Sequence, residues 1–351
     1  MRPAGKPGQL PGKEEKMAES KRLPWVDVAR GYGILAVIAS HVLAGHPLSQ
    51  WLFTFHVPLF FFLSGFLFRD GKPFAAFLKG KVRRLLVPYF ALSFGIVLME
   101  TAVGGYWQGY WSRAGELALR LLVQRRTCTV WFLTALFFTE FLAYWLIRLI
   151  KTRRVLVIVS LLLAGLGLLY ARFVGVILPW NMDAVFPMLP FFMAGYFLKN
   201  SGLDLEKLGK SVKGILAFFL LGVGNVLLGA PSILGMLPSM DVFSGVYGFV
   251  PCSYGAAFCG IACVVLAAQC WHGKPIAYLG KNSVLYFAWH QNPVMSAIWF
   301  YFPKLGIPVS GYATAVAMMG EKALEIAVIL VVLTLANRLI AGSRLKWMVG
   351  R

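Results

Sequence analysis

Arg30 and His41 lie in one apolar run, WVDVARGYGILAVIASHV, which starts at Trp25. Ionisable groups are costly in hydrocarbon, so any inside such a run is a functional candidate by default. Eleven helical steps make roughly three turns, which puts both side chains on one face, about 16 Å apart along the axis. Asp27, one turn before Arg30, is its expected charge partner. A second run, FTFHVPLFFFLSGFLF, carries His56 and Ser64. Read as an antiparallel hairpin, the two runs bring His41 and His56 to a similar depth. A neutral histidine suits proton abstraction near pH 7; a helix–helix hydrogen bond is the plainer role. The next stretch, RDGKPFAAFLKGKVRRLLVPY, sets Lys81, Arg83 and Arg84 at the mouth of a third apolar segment. Such a cluster serves either as an anchor against anionic lipid or as a clamp on phosphates. Further on, LGKNSVLYFAWHQN spaces Asn282, Tyr286 and His290 at i, i+4 and i+8, one polar stripe on a helix. Glu140, Glu325 and Asn337 are further polar groups within apolar segments.

The elements that must position these residues are membrane spans. The chain has 351 residues, 59% hydrophobic and 14% charged, with mean hydropathy +0.71. Soluble domains carry about 25% charged residues. The expected fold is therefore an all-α polytopic membrane protein. Ten segments have near the length a bilayer needs, at 27–44, 51–68, 85–103, 129–149, 155–172, 184–198, 214–230, 247–270, 282–302 and 323–341. With the N-terminus cytoplasmic, and with Arg148, Arg172 and Arg338 at span ends counted with the adjoining loops, the inner segments hold 26 of the 34 lysines and arginines and the outer loops 7, Arg30 being the remaining one. The positive-inside rule expects this alternation, so both termini are read as cytoplasmic. Residues 1–24 read as a disordered basic tail, 25–342 as one ten-helix membrane domain and 343–351 as a short basic tail. The outer loop 104–128 departs from the charge pattern with four arginines, and its WSRAGELALRLL core reads as an amphipathic helix on the outer surface or as the rim of a substrate entrance.

The net charge of +20 is spread in short clusters between apolar segments, which argues against a nucleic-acid partner. Of five cysteines, four crowd one apolar segment at no metal-site spacing, so they are read as packing groups and no metal is expected.

WVDVARGYGILAVIASHV, FHVPLFFFLSGFLF and KVRRLLVPY together resemble the opening of membrane acyltransferase family 3, most closely its fucose 4-O-acetylase-like, polysaccharide O-acetyltransferase branch. VWFLTALFF, MLPFFMAGYFLK and LGKNSVLYFAWH resemble later blocks of that family, in order, and the resemblance covers about residues 24–340. It implies an integral plasma-membrane O-acyltransferase, with acyl-CoA, above all acetyl-CoA, as donor and a cell-surface or lipid-linked glycan as acceptor. Residue by residue, the basic-x10-His signature falls on Arg30 and His41, the Ser-Gly-Phe motif on Ser64, Gly65 and Phe66, and the Arg-x-x-Arg motif on Lys81 and Arg84, where lysine replaces the first arginine. Trp131, Tyr286 and His290 fall in the later blocks. These assignments give His41 the role of general base, with His56 orienting it or the sugar, and leave the donor's phosphates to Lys81, Arg83, Arg84 and Arg30. Direct transfer and an acyl-histidine intermediate both satisfy this residue set. A transporter or flippase for a polar lipid-linked substrate is the alternative reading, disfavoured because the chain has no paired inverted halves and no sustained chain of carboxylates.

Overall fold

The computed structural model describes residues 23–103, 110–271, 273–311 and 314–350. The expected tail 1–24 lies almost wholly outside them. The described residues are helical, with no strand beyond one isolated antiparallel bridge, Asp241 to Val246. The helices are α1 (Pro24–Val42), α2 (Pro47–Phe53), α3 (His56–Phe66), α4 (Phe74–Lys81), α5 (Val87–Val103), α6 (Tyr110–Val123), α7 (Trp131–Leu149) and α8 (Arg153–Phe173). There follow α9 (Met182–Lys199), α10 (Leu205–Gly209), α11 (Val212–Ile233), α12 (Val250–Cys270), α13 (Lys274–Lys281), α14 (Ser283–Trp289), α15 (Ser296–Tyr301) and α16 (Ala315–Ala341).

Six helices among the described residues are long and apolar enough to cross a membrane. They are Phe74–Met99, α7, α8, α11, α12 and α16, and they correspond to the third, fourth, fifth, seventh, eighth and tenth expected spans. The first of them is one continuous rod, because a π-helical turn at Val82–Leu86 joins α4 to α5. The basic residues expected in a loop there sit on helix instead.

The other four expected spans take different forms, for physical reasons. α1 and α9 are long enough but carry polar groups and, in α9, two prolines, and most of their residues are buried in protein. A helix enclosed by other helices need not be uniformly apolar. α8, α11 and α16 are the reverse: only 22%, 17% and 22% of their apolar windows is buried, which makes them a lipid-facing shell. The second expected span is broken at Thr54–Phe55 into α2 and α3. The ninth is broken into α14, a π-turn at His290–Met295 and α15, with Pro293, which has no N–H to donate, inside the turn.

Two helix crossings are close enough to require glycine. A Cβ on Gly65 would lie 1.8 Å from the Phe192 carbonyl oxygen, and one on Gly195 would lie 1.9 Å from that of Phe62. α3 and α9 therefore touch backbone to backbone. Gly31 and Gly280 do the same for α1 and α13, with added Cβ atoms 2.1 Å from Ile276 O and 1.7 Å from Asp27 O. Small residues that let backbones approach are the usual basis of helix association in lipid, where no hydrophobic drive operates.

Candidate active site

One end of the bundle holds a basic cavity of about 610 Å³. Arg30 enters it from α1, Ser64 from α3, Glu140 from α7, Lys281 from α13, and Lys81 and Arg84 from the α4–α5 rod. Four cations thus meet one carboxylate. Glu140 is almost fully buried and is held from two sides. Lys81 Nζ is 2.7 Å from its Oε2, and Ser64 Oγ donates to its Oε1 at 2.7 Å. The lysine that stands first in the Lys-x-x-Arg pair therefore spends its charge on a carboxylate, a role that needs no bidentate fork. Arg83 is exposed and does not line the cavity. An adjoining cavity of about 510 Å³ shares Arg30 and Leu67 and adds Asp27, Arg69 and Lys199.

The Ser-Gly-Phe residues separate into three duties. Ser64 holds Glu140, Gly65 permits the α3–α9 crossing, and the Phe66 ring meets Trp25 of α1 edge-on at 4.9 Å. Val349, which ends a 3-10 turn at Arg344–Val349, and Gly350, which caps it, also line the cavity. The segment expected as a short tail thus packs back on the bundle, with Gly350 against the backbone of Arg83 and Arg84.

The deep wall of the cavity is aromatic. Phe60, Phe132 and Phe287 line it, and Phe132 and Phe287 pack at 4.8 Å between centroids. Beyond Phe287, whose ring is 6.3 Å from that of His290, three histidines gather. His41 and His290 are 5.1 Å apart between centroids. Phe53 packs against both His41, at 5.9 Å, and His56, at 4.8 Å. The His56 Nδ1 lies 2.8 Å from the Leu52 carbonyl. A carbonyl only accepts, so this nitrogen carries the hydrogen and Nε2 keeps the lone pair. Above the cluster the α11–α12 connection folds inward, with Met240, Val242 and Tyr247 in the core and the Asp241 carboxylate within electrostatic reach of His41.

Tyr286 and Trp131 do not open on the basic cavity. The Tyr286 hydroxyl pairs with Thr334 Oγ1 at 2.6 Å. Trp131 packs against Phe243 at 6.0 Å between centroids, while its carbonyl accepts from Asn181 Nδ2 at 3.2 Å. Glu140 and Lys281 are cavity residues that the sequence pattern left out of the site. Glu140 was legible only as an interior polar group, and Lys281 only as a positive-inside cation.

A second buried ion pair, Arg126 with Asp183, lies near Asn181, which accepts from the Arg126 backbone N–H at 3.1 Å. It accounts for part of the arginine excess in the 104–128 loop, because Arg126 is buried and neutralised. Arg120 pairs with Glu116 at 2.7 Å along α6, which is helical as expected. No group of three or more histidine, cysteine or acidic side chains is placed to hold a metal ion among the described residues.

The fold and the site define a polytopic helical membrane protein with a basic cavity backed by aromatic and histidine side chains. The acyltransferase-3 family model, described as an acyltransferase domain, matches residues 23–336, so the chain belongs to that family. No curated protein and no solved structure matches the chain.

Proposed function

We propose that this acyltransferase is an O-acetyltransferase of the plasma membrane, in the fucose 4-O-acetylase-like branch. It takes the acetyl group from cytoplasmic acetyl-CoA and passes it to a hydroxyl of a cell-surface or lipid-linked glycan. The observation that carries the reading is the cavity with Arg30, Lys81, Arg84 and Lys281 at one end and an aromatic wall at the other, behind which Phe287 meets His290 and His290 meets His41. The phosphates of the donor match the cations. The pantetheine arm matches the about 16 Å between Arg30 and His41 along α1. In the same reading the chain crosses the membrane ten times with both termini cytoplasmic, so the basic cavity opens to the compartment that holds acyl-CoA. The partition of basic residues supports that orientation.

His41 takes the proton of the acceptor hydroxyl as oxygen attacks the thioester carbonyl. The C–O bond forms, the C–S bond breaks, and the proton on His41 passes to the departing thiolate. Acetyl transfer by direct attack needs no further co-reactant. His41→Ala should lower transfer about 10²–10⁴-fold, the usual worth of a general base, with the protein still folded and donor affinity kept. Arg84→Ala should weaken donor binding by about 1.5–3 kcal/mol, the worth of a charged hydrogen bond. Titration of acetyl-CoA against the purified variants, paired with mass spectrometry of surface glycans from cells with and without the gene, tests both. No acetyl-sized mass difference, or unaltered donor affinity in the arginine variant, would defeat the reading.

A further inference from the structure

His290 has features that a packing histidine does not require. It is fully buried on the π-turn that follows α14. Its Nδ1 is 2.9 Å from the Phe287 carbonyl and 3.1 Å from that of Tyr286. Both partners only accept, so Nδ1 must carry the hydrogen, and Nε2 is left with a bare lone pair. That Nε2 is buried and has no hydrogen-bond partner. An unmatched buried acceptor costs about 1–3 kcal/mol, so its retention calls for a donor that arrives in the working state.

The neighbouring backbone holds the ring where it is. Thr129 Oγ1 donates to the Ala288 carbonyl at 2.7 Å, and Trp289 Nε1 donates to the Leu92 carbonyl at 3.1 Å. The end of α14, just before the histidine, is thereby tied to the segment that leads into α7 and to the α4–α5 rod.

We propose that His290 is the positioning residue of the base, accepting an N–H of His41 at its Nε2. The inference rests on His41 as the proton acceptor proposed above. The two rings are in contact, with centroids 5.1 Å apart and planes inclined at 42°, so a turn of the His41 ring brings one of its N–H groups onto the unpartnered Nε2. With one nitrogen of His41 committed as donor to His290, the other must present its lone pair to the acceptor hydroxyl. When His41 takes the hydroxyl proton, the new imidazolium already has one N–H seated on an acceptor. A neutral imidazole does this without the large cost of burying a second charge. His56 and Asp241 also face His41, across Phe53 and from the α11–α12 connection respectively. His56 is turned the same way as His290, Nδ1–H to a carbonyl, but only His290 is in ring contact with His41.

The test compares His290→Phe, which keeps a ring and removes the acceptor, with His290→Gln, whose amide oxygen reaches near the Nε2 position. Native membranes given radiolabelled acetyl-CoA report the rate of label entering glycan. The phenylalanine variant should lose about 100-fold in rate, the upper range for groups that orient a reactive histidine, with the half-saturating acetyl-CoA concentration unchanged. The glutamine variant should recover at least tenfold of that loss. In ¹⁵N-histidine-labelled protein, wild-type His41 should show one tautomer, the phenylalanine variant a mixture, and the glutamine variant one tautomer again. A folded phenylalanine variant with wild-type rate, or with His41 still in one tautomer, overturns the proposal. If the phenylalanine variant fails to fold, mixed His41 tautomers in the glutamine variant overturn it. Full activity in His41→Ala would instead remove the base itself, whereas the tautomer measurement reports the pair whether or not His41 is the base.

Discussion

The pair Lys81–Glu140 lends itself to a quantitative test because its two members are unequally buried. The carboxylate is 2% exposed and the ammonium 22%. Removing one partner of a buried pair costs about 3–5 kcal/mol, because the other charge is stranded. In Lys81→Met the stranded group is Glu140, which keeps only the Ser64 hydroxyl, so about 3 kcal/mol is expected. In Glu140→Gln the stranded group is Lys81, whose stem can carry its charge to water, and the loss is nearer about 1 kcal/mol, that of an ordinary hydrogen bond. The double variant strands nothing and should lose about 2 kcal/mol. The coupling energy is then about 2 kcal/mol, or roughly 30-fold in the unfolding equilibrium. The assay is reversible unfolding of the four proteins in mixed micelles. Additivity to within about 0.5 kcal/mol, or a costlier glutamine than methionine change, would refute the assignment of Glu140 as the member that depends on its partner.

Gly65→Ala and Gly195→Ala should each destabilise by about 1–3 kcal/mol, the cost of overpacking, since each new methyl meets a backbone carbonyl across the α3–α9 crossing. Gly80→Ala, with nothing within 4 Å of the added carbon, should leave stability unchanged or raise it by up to about 1 kcal/mol; melting in detergent compares the three. Arg126→Ala should cost about 3–5 kcal/mol by leaving Asp183 buried and unpaired, and adding Asp183→Asn should restore most of that loss, read by the same melting curves.

What the sequence made legible divides along physical lines. The helical, membrane-crossing character followed from composition, and six spans followed from uninterrupted apolar length, because lipid-facing helices must be apolar along their whole run. α1, the α2–α3 segment, α9 and the α14–α15 segment were visible as apolar stretches, but the breaks in the second and the last of these were not. Those breaks depend on which neighbour covers the freed backbone, and that is tertiary information. Arg30, Ser64, Lys81 and Arg84 were legible as candidates and share the cavity. Glu140 stood out only as an interior acid, because nothing local says that Lys81 and Ser64, on two other helices, converge on it. His290 was read as one member of a polar stripe; its contact with His41 crosses 249 positions of sequence and has no local sign.

α3 has eleven residues, so at 1.5 Å per residue it spans about 16 Å, roughly half of a bilayer's hydrocarbon core. Such a segment cannot insert and stay on its own during synthesis, because its unpaired terminal amides and carbonyls would be stranded in lipid. It depends on α9, made more than a hundred residues later, whose glycine and carbonyl fit against Gly65 and Phe62. Until α9 emerges from the ribosome, the segment carrying Ser64 has no permanent seat, and the cell must shelter it. Changes at this crossing should therefore appear first as protein lost to membrane quality control. The copies that survive would have a normal catalytic rate, so abundance and turnover per molecule would report on different helices of the same chain.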